Sequence, residues 1–362
     1  MWTNAEFQVQ LQKMRDVHTK IEVLNMKNQI VDYIEGLVVS GNINISNSNM
    51  VRRTLDITFV SKDDKLEISP TSPIWINKRL KIYIGIESYS GEIHYFNQGI
   101  YILNNPTTDI STNGRYIKLN GTDKMGLFSQ PFITDAKFTV DTPINDAIKG
   151  LCDMIGETNL LIEKSDYKLP YDMQFNIGSD IQSALKDITN LYMDYQSYYN
   201  VDGYLVFEKI KNRLTDASIW DFVEAMDLSV SKSRVTNYDD VKNHVKVVGK
   251  LRDDGILPVY EMKIEGVDKP LSIDNIGLKL KVIEESKYTE VKQCETRCQY
   301  EIEKTQNMTN TFNVNCIPIY LINDVNKIIN ITDKNTVYKC LIDSISVPLG
   351  LGEMSLSAHE IF

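Results

Sequence analysis

"SNMVRRTLDITFVS", Ser48 to Ser61, carries the pattern on which the fold turns. From Arg52 onward the side chains alternate, with Leu55, Ile57 and Phe59 on one face and Thr54, Asp56 and Thr58 on the other, the mark of a half-buried strand. Adjacent residues on a strand point to opposite faces, so Arg52 falls on the polar face and Arg53 in line with the apolar one. An unpaired charge in a core is prohibitive. Arg53 is therefore expected at the strand's rim, its stem on apolar neighbours and its head in water, or against an acid or carbonyl, with an intersubunit ion pair as the alternative. Arg52, with Asp56 four residues on, is expected to face solvent or a neighbouring subunit.

The surroundings repeat the strand pattern. "HTKIEVLN" alternates around Ile21 and Val23, "SGNINIS" around Ile43 and Ile45, and "RLKIYIGIE" places Leu80, Ile82, Ile84 and Ile86 on one face. "GIYILNN" and "RYIKLNG" follow, and turn-forming clusters such as "SNSN" and "SYSGE" separate the strands. Strands at this spacing without a helical period predict an antiparallel sandwich or barrel.

From about residue 130 the period changes. In "DTPINDAIKGLCDMIG" Thr142 is placed to cap and Pro143 to open a helix with the apolar stripe Ile144, Ala147, Ile148, Leu151, Cys152 and Ile155. A second helix is predicted to open at Ser179, with Gln182 in capping-box spacing. "QSYYNVDGYLVFEKI" reads as a hairpin turning at Asp202-Gly203. Strand signals return from about 215, in "VKNHVKVVGK", "PVYEMKI", "NTVYKCLIDSISV" and "MSLSAHEIF", interrupted by one long helix over 289–306. The expected fold class is mainly β with α/β: a β block over 1–129, a small α/β unit over 130–214, and a second β block over 215–362 with one inserted helix.

Bulk composition narrows the function. The 362 residues are enough for several hydrophobic cores. Lys and Arg number 39 against 49 Asp and Glu, a formal charge of −10, which disfavours binding to a phosphate backbone. The opening "MWTNAEFQVQLQKMRD" lacks a secretory signal, and no apolar run is long enough to span a bilayer, so a soluble chain made in a cytosol is expected. Five scattered cysteines argue for reduced thiols.

Candidate chemistry is sparse. Cys294 and Cys298 stand at i, i+4 but on the apolar stripe of their helix, where cysteine packs as a small hydrophobe, and no further metal ligands are evident. The four histidines, 18, 94, 244 and 359, form no HExxH, and no GxSxG, P-loop or GxGxxG occurs. Asp239-Asp240 and Asp253-Asp254 are acids in turn-like segments that read as solvated loops. In "NGTDKMG" Asp123 is better read as the cap of a following turn than as a calcium or anion ligand. No catalytic, cofactor or metal residues are expected; Arg52, Arg53, Asp56 and Asp123 are the candidates for a structural or assembly role.

The order of the short motifs resembles the tail hub, or baseplate hub, proteins of bacteriophages and phage-tail-like particles. A "K-I-E-x-L" strand, an "S-G-x-I-x-I" strand and an "R-R-T" strand succeed one another, followed by "RLKIYIGIE", "FNQGIYIL" and "RYIKLNGTDKMGLF". The C-terminal third is similar too: "SIDNIGLKL", a helix, "CIPIYLINDVNKI", and the closing "S-I-S-V-P-L-G-x-G-x-M-S-L-S". The resemblance implies a non-enzymatic assembly protein with two tube-like β-barrel domains flanking the α/β unit. It implies a homotrimer forming a pseudo-hexameric ring between tail tube or distal tail protein and a central spike or tail tip, with the tape-measure protein among the neighbours and DNA passing along the channel. The expected setting is a virion tail or tail-like particle assembled in the host cytoplasm, without membrane insertion of this chain. An acidic lumen would repel DNA and let it slide. Some relatives carry a fused lytic domain; with the last strand ending at Phe362, any such activity is expected in a partner chain. Two readings from other classes stand beside this one: a carbohydrate-binding tail component, for which the 19 tyrosines would suit sugar stacking, and a tail-associated cell-wall hydrolase.

Overall fold

The computed structural model describes residue 11 and residues 16–61, 66–88, 90–112, 114–210, 213, 215–223, 228–239, 241–307 and 310–361. The segment read for a targeting signal lies almost wholly outside the described residues, as do Asp240 and Phe362.

Seven strands form the first block: β1 (Val17–Leu24), β2 (Ile30–Glu35), β3 (Val38–Ser46), β4 (Arg53–Val60), β5 (Arg79–Glu87), β6 (Ile93–Ser111) and β7 (Gly114–Thr122). They lie in the order β2-β1-β5-β6-β7-β4-β3 with antiparallel neighbours throughout. The period-2 pattern holds: on β4, Arg53, Leu55, Ile57 and Phe59 are buried while Asp56 is exposed. β6 runs on past "GIYILNN" because its register shifts between Asn104 and Thr107, so Pro106 sits where the ladder is already interrupted.

A 3₁₀ turn (Lys124–Phe128) leads into the middle unit: β8 (Ala136–Phe138), α1 (Ile144–Met154), β9 (Leu160–Ile162), β10 (Met173–Phe175), α2 (Ile181–Thr189), β11 (Tyr195–Tyr199) and β12 (Leu205–Lys209). The apolar stripe of α1 is buried from Ile144 to Cys152, packed with Ile181, Leu185 and Ile188 of α2 in a core of its own. Both caps differ from the expectation. Pro143 itself flanks α1 with no side-chain cap, and the Thr142 hydroxyl turns to Thr139. At α2 the cap is Asp180, whose carboxylate accepts from Ser183 N at 2.8 Å, while Ser179, one residue before it, donates to Asn176 O. β11 and β12 are the expected hairpin, with Gly203 at φ +76° and the Asn200 side chain accepting from the Asp202 and Tyr204 amides.

The last block holds β13 (Trp220–Phe222), β14 (Ser229–Thr236), β15 (His244–Val248), β16 (Val259–Lys263), α3 (Ile273–Ile276), β17 (Leu280–Glu284), α4 (Val291–Asn307), β18 (Asn310–Cys316), β19 (Ile328–Asp333), β20 (Thr336–Pro348) and β21 (Met354–Glu360). Here "VKNHVKVVGK" and "PVYEMKI" do not join the main β block. β14 and β18 pair with each other, so the chain between them loops out and must bury its own apolar face. It does so as a three-stranded sheet, β16-β15-β17, backed by α4 around Val245, Val247, Cys294, Cys298 and Ile302. The insertion is thus an α/β unit, not a lone helix.

The two β blocks are not separate sheets. Pairing of β20 with β3, from Ser344↔Ser46 to Pro348↔Asn42, joins them into one 13-stranded sheet that runs from β14 to β2, with β19 and β13 branching from β20. A single core cluster spans both blocks, from Ile43, Leu55 and Phe59 to Val314, Ile345 and Leu356.

Candidate functional site

The start of β4 is where the three parts of the molecule meet. Arg53 is 1 % exposed, and both terminal nitrogens of its guanidinium are engaged within this chain, while its Nε is buried without a hydrogen-bond partner. Nη1 donates to Tyr199 O of the middle hairpin at 2.8 Å. Nη2 donates to Asn323 O at 3.1 Å and lies 2.8 Å from Asp324 Oδ1, both on the segment between β18 and β19. The arginine that points at the core of its own strand is therefore a bridge from the first β block to the other two. Of the expected alternatives, the acid and carbonyls in the same chain are what it meets; the rim position and the intersubunit pair are not.

Arg52 is also buried, 5 % exposed, which corrects the expectation that it faces solvent or a neighbouring subunit. The hairpin lays the Tyr198 ring across the polar face at the start of β4, and the Arg52 guanidinium stacks on it 3.3 Å from the ring centroid. A planar, weakly hydrated guanidinium suits such stacking. Asp324 Oδ1 stands 3.7 Å from Arg52 Nη1, so one carboxylate serves both arginines. Burial lowers the Arg52 pKa, opposed chiefly by Asp324.

Asp123 ties the same corner from behind. Its Oδ2 accepts from the amides of Arg52 at 2.8 Å and Arg53 at 2.9 Å, and its Oδ1 caps the 3₁₀ turn by accepting from Met125 N at 3.0 Å. The capping reading of Asp123 holds, and the carboxylate additionally fixes the first residues of β4. Three amide donors and no acceptor make this a seat for the charged carboxylate, yet burial pushes its pKa up to about 6 against the pull of those amides and of Arg53. Asp56 takes no part: it lies exposed further along β4, opposite Asn42 and Asn120.

A second ion pair, which sequence reasoning missed, lies beside the first. Lys124, 0 % exposed, meets Glu157 Oε2 at 2.5 Å and donates to Gly203 O at 3.0 Å. The Tyr199 hydroxyl donates to the same Glu157 oxygen at 2.9 Å, and burial raises its pKa. Lys124 was legible only as a neighbour of Asp123, because its acid comes from the segment after α1. Two glycines permit the close approach. A Cβ on Gly203 would lie 2.8 Å from Ile100 Cδ1, and one on Gly99, at φ +124°, would lie 3.2 Å from Arg53 Cδ.

The cluster's cations are matched to acids, carbonyls or a ring, with Arg53 Nε alone left without a hydrogen-bond partner among these groups, an arrangement that holds three units in fixed relation. An open groove of about 730 Å³ beside it is lined by Tyr198, Glu208, Asp324 and Lys327. There Glu208 already accepts from Gln196 and the Tyr198 hydroxyl. Of the acids read as solvated loops, Asp239, Asp253 and Asp254 are exposed in turns. Cys294 and Cys298 lie in the core of the insertion, where Cys298 Sγ contacts Tyr260 O at 3.3 Å and burial raises its pKa to about 11.

No protein-family model matches the sequence, and no curated protein matches it. Solved structures do. The chain is similar to the 43 kDa tail protein of prophage MuSo2 from Shewanella oneidensis, at 12% identity over 94% of this chain and 98% of that one, with a TM-score of 0.63. It is similar to a tail protein from Neisseria meningitidis MC58, at 10% identity over 94% and 96% of the two chains and a TM-score of 0.64. A third is prophage tail protein gp18 from Listeria monocytogenes EGD-e, at 9% identity over 95% and 94% and a TM-score of 0.58. At these identities the likeness is one of fold, and it extends over nearly the whole length of each chain. The chain has the fold of phage and prophage tail proteins, the class that its sequence motifs resemble.

Proposed function

We propose that this chain is a structural hub subunit of a phage tail or phage-tail-like particle, acting through assembly rather than catalysis. The observation that carries the reading is the continuous sheet: β20 and β3 join the two β blocks edge to edge, and buried Arg53, paired with Asp324 of the last block and donating to Tyr199 O of the hairpin, ties that arrangement to the middle unit. A chain built as two rigidly joined β blocks can present two comparable units to its neighbours, so that three copies supply six. Such a ring would match a six-fold tube on one side and a three-fold spike on the other, leaving an axial passage for DNA. The net charge of −10 suits a passage that polyanions traverse without binding.

The test is the symmetry and mass of the purified protein. Light scattering and negative-stain imaging should give a closed three-chain ring, alone or on adding the tube or spike protein of the same particle. A protein that stays monomeric with those partners, and is absent from purified particles, overturns the reading. Clearing of host cell wall on a zymogram, lost on replacing a single Asp or Glu, would assign a hydrolase instead.

A further inference from the structure

Away from the junction, the first block carries a cluster of aromatic rings on the face opposite its core. Lys20 and Glu22 on β1, Tyr33 and Glu35 on β2, Lys81, Tyr83 and Gly85 on β5 and Tyr95 on β6 share the side of the sheet turned away from buried Ile21, Ile82 and Ile84, as register and the period of two require. Lys20 Nζ lies 5.3 Å from the ring centroid of Tyr33 and 5.7 Å from those of Tyr83 and Tyr95, so three rings gather around one cation. The rings are held in place. Tyr83 donates to Glu22 Oε2 at 3.2 Å and has Lys81 Nζ over it at 5.2 Å. Tyr95 packs onto β5 over Gly85, where a Cβ would stand 2.8 Å from its Cε1. The outer sides stay open: Tyr33 is 53% exposed and Tyr95 40%.

The mixture of groups selects the ligand. Lys and Glu are depleted from the cores of protein interfaces, yet here Lys20, Glu22, Glu35 and Lys81 interleave the rings, and the aliphatic Val31 and Ile93 stand only at the margin. A nucleobase would stack as well, but its phosphates need a positive field, and Glu22 and Glu35 balance Lys20 and Lys81. What fits is an uncharged ligand with C–H faces to lie on the rings and hydroxyls at its edge to exchange hydrogen bonds with ammonium and carboxylate groups. Those are the features of a sugar. We propose that this face binds a neutral oligosaccharide, with Tyr33 and Tyr95 as its stacking platform and Lys20 and exposed Glu35 as its hydroxyl partners.

Rings already fixed by a cation and a carboxylate lose little freedom when a ligand lies on them, which favours binding. All the groups come from one chain, so occupancy needs no ring of subunits and does not rest on the hub reading.

The test uses the full chain with neutral probes, cellotetraose, maltotetraose, galactotetraose and tetra-N-acetylchitotetraose, and a heparin tetrasaccharide as the anionic one. Calorimetric titration and saturation-transfer NMR should show at least one neutral probe binding with a Kd near or below about 1 mM, and the anionic probe binding more weakly. Tyr33→Ala and Tyr95→Ala should each weaken it at least about fivefold, the low end of what a stacked ring contributes, whereas Tyr238→Ala, at an exposed tyrosine of the last block, should leave it unchanged. Thermal melts check folding; where an alanine variant unfolds, Tyr33→Leu or Tyr95→Leu, which keeps apolar cover without a ring, makes the same comparison. Failure of every neutral probe to bind, tighter binding of the heparin tetrasaccharide, or binding that survives removal of both rings overturns the site. Loss of association between copies on removing either ring, with no sugar bound by the wild type, assigns the face to a protein contact and overturns it too. Protein that stays monomeric with its partners yet binds sugar overturns the hub reading and leaves this site standing.

Discussion

Replacing Arg53 by leucine is the most direct probe of the junction. The side chain is 1 % exposed, so the change removes a charge from an interior rather than from a surface. It deletes the 2.8 Å pair with Asp324 and the donors to Tyr199 O and Asn323 O. Asp324 is left with Arg52 at 3.7 Å, and two carbonyls lose their partners. Orphaned buried acceptors cost about 1–3 kcal/mol each, burial of the leucine offsets roughly 1.5–3 kcal/mol, and breaking one side of a buried pair costs about 3–5 kcal/mol in all. Against a total stability of about 5–15 kcal/mol, a loss near 4 kcal/mol is severe. Urea unfolding at fixed protein concentration, followed by circular dichroism, measures it. A cycle with Asp324→Asn isolates the pair, with a coupling energy of about 1–3 kcal/mol expected. A cost below about 1 kcal/mol for Arg53→Leu, or a coupling indistinguishable from zero, would refute the role of Arg53 as the bridge.

Lys124→Met should cost about 3–5 kcal/mol by leaving Glu157 buried without a cation, held by the Tyr199 hydroxyl and the Asn159 amide alone, and adding Glu157→Gln should recover part of it; urea midpoints decide. Asp123, with a folded pKa near 6 above its unfolded value, binds more protons folded than unfolded, so its contribution is fully present below about pH 4 and lost as pH rises through 6. Wild type should therefore gain on Asp123→Asn by up to about 3 kcal/mol as pH falls from 7 to 4, and melts in which the two variants keep a constant difference would contradict this. All five cysteines are buried, so an aromatic disulfide reagent should titrate almost no thiol in the native protein within minutes and all five in guanidinium. Asp56→Ala, at an exposed position outside the junction, should change stability by no more than about 0.5 kcal/mol.

The strands of the first block were legible because one side of each is buried, and alternation then fixes which residues point inward; Ile43, Ile45, Leu55, Ile57 and Phe59 all lie where the period puts them. Arg53 was legible as an anomaly in that period but not in its solution, since Asp324 and Tyr199 are distant in sequence and a partner of that kind leaves no local signal. Arg52 was misread for the same reason: its polar face is covered by Tyr198 from another unit. The insertion was half legible. α4 shows a helical stripe, but β15 and β16 carry the same strand signature as the main sheet, and only the pairing of β14 with β18 reveals that the chain between them folds apart. The α2 cap moved by one residue because Asp180 and Ser179 are both competent caps, and geometry chose Asp180.

The joining of β3 to β20 also fixes when the molecule can fold. Asn42 and Ser346, which bond across that junction, are 304 residues apart in sequence. On a ribosome adding about 5–20 residues per second, β3 waits roughly 15–60 s before its partner exists. During that interval one edge of the first block is bare, and Arg53 has neither Asn323 nor Asp324 to meet. Nascent and truncated chains are then the species most exposed to strand-mediated aggregation, and the yield of native protein should be governed by how fast the last strands arrive rather than by how stable the finished sheet is.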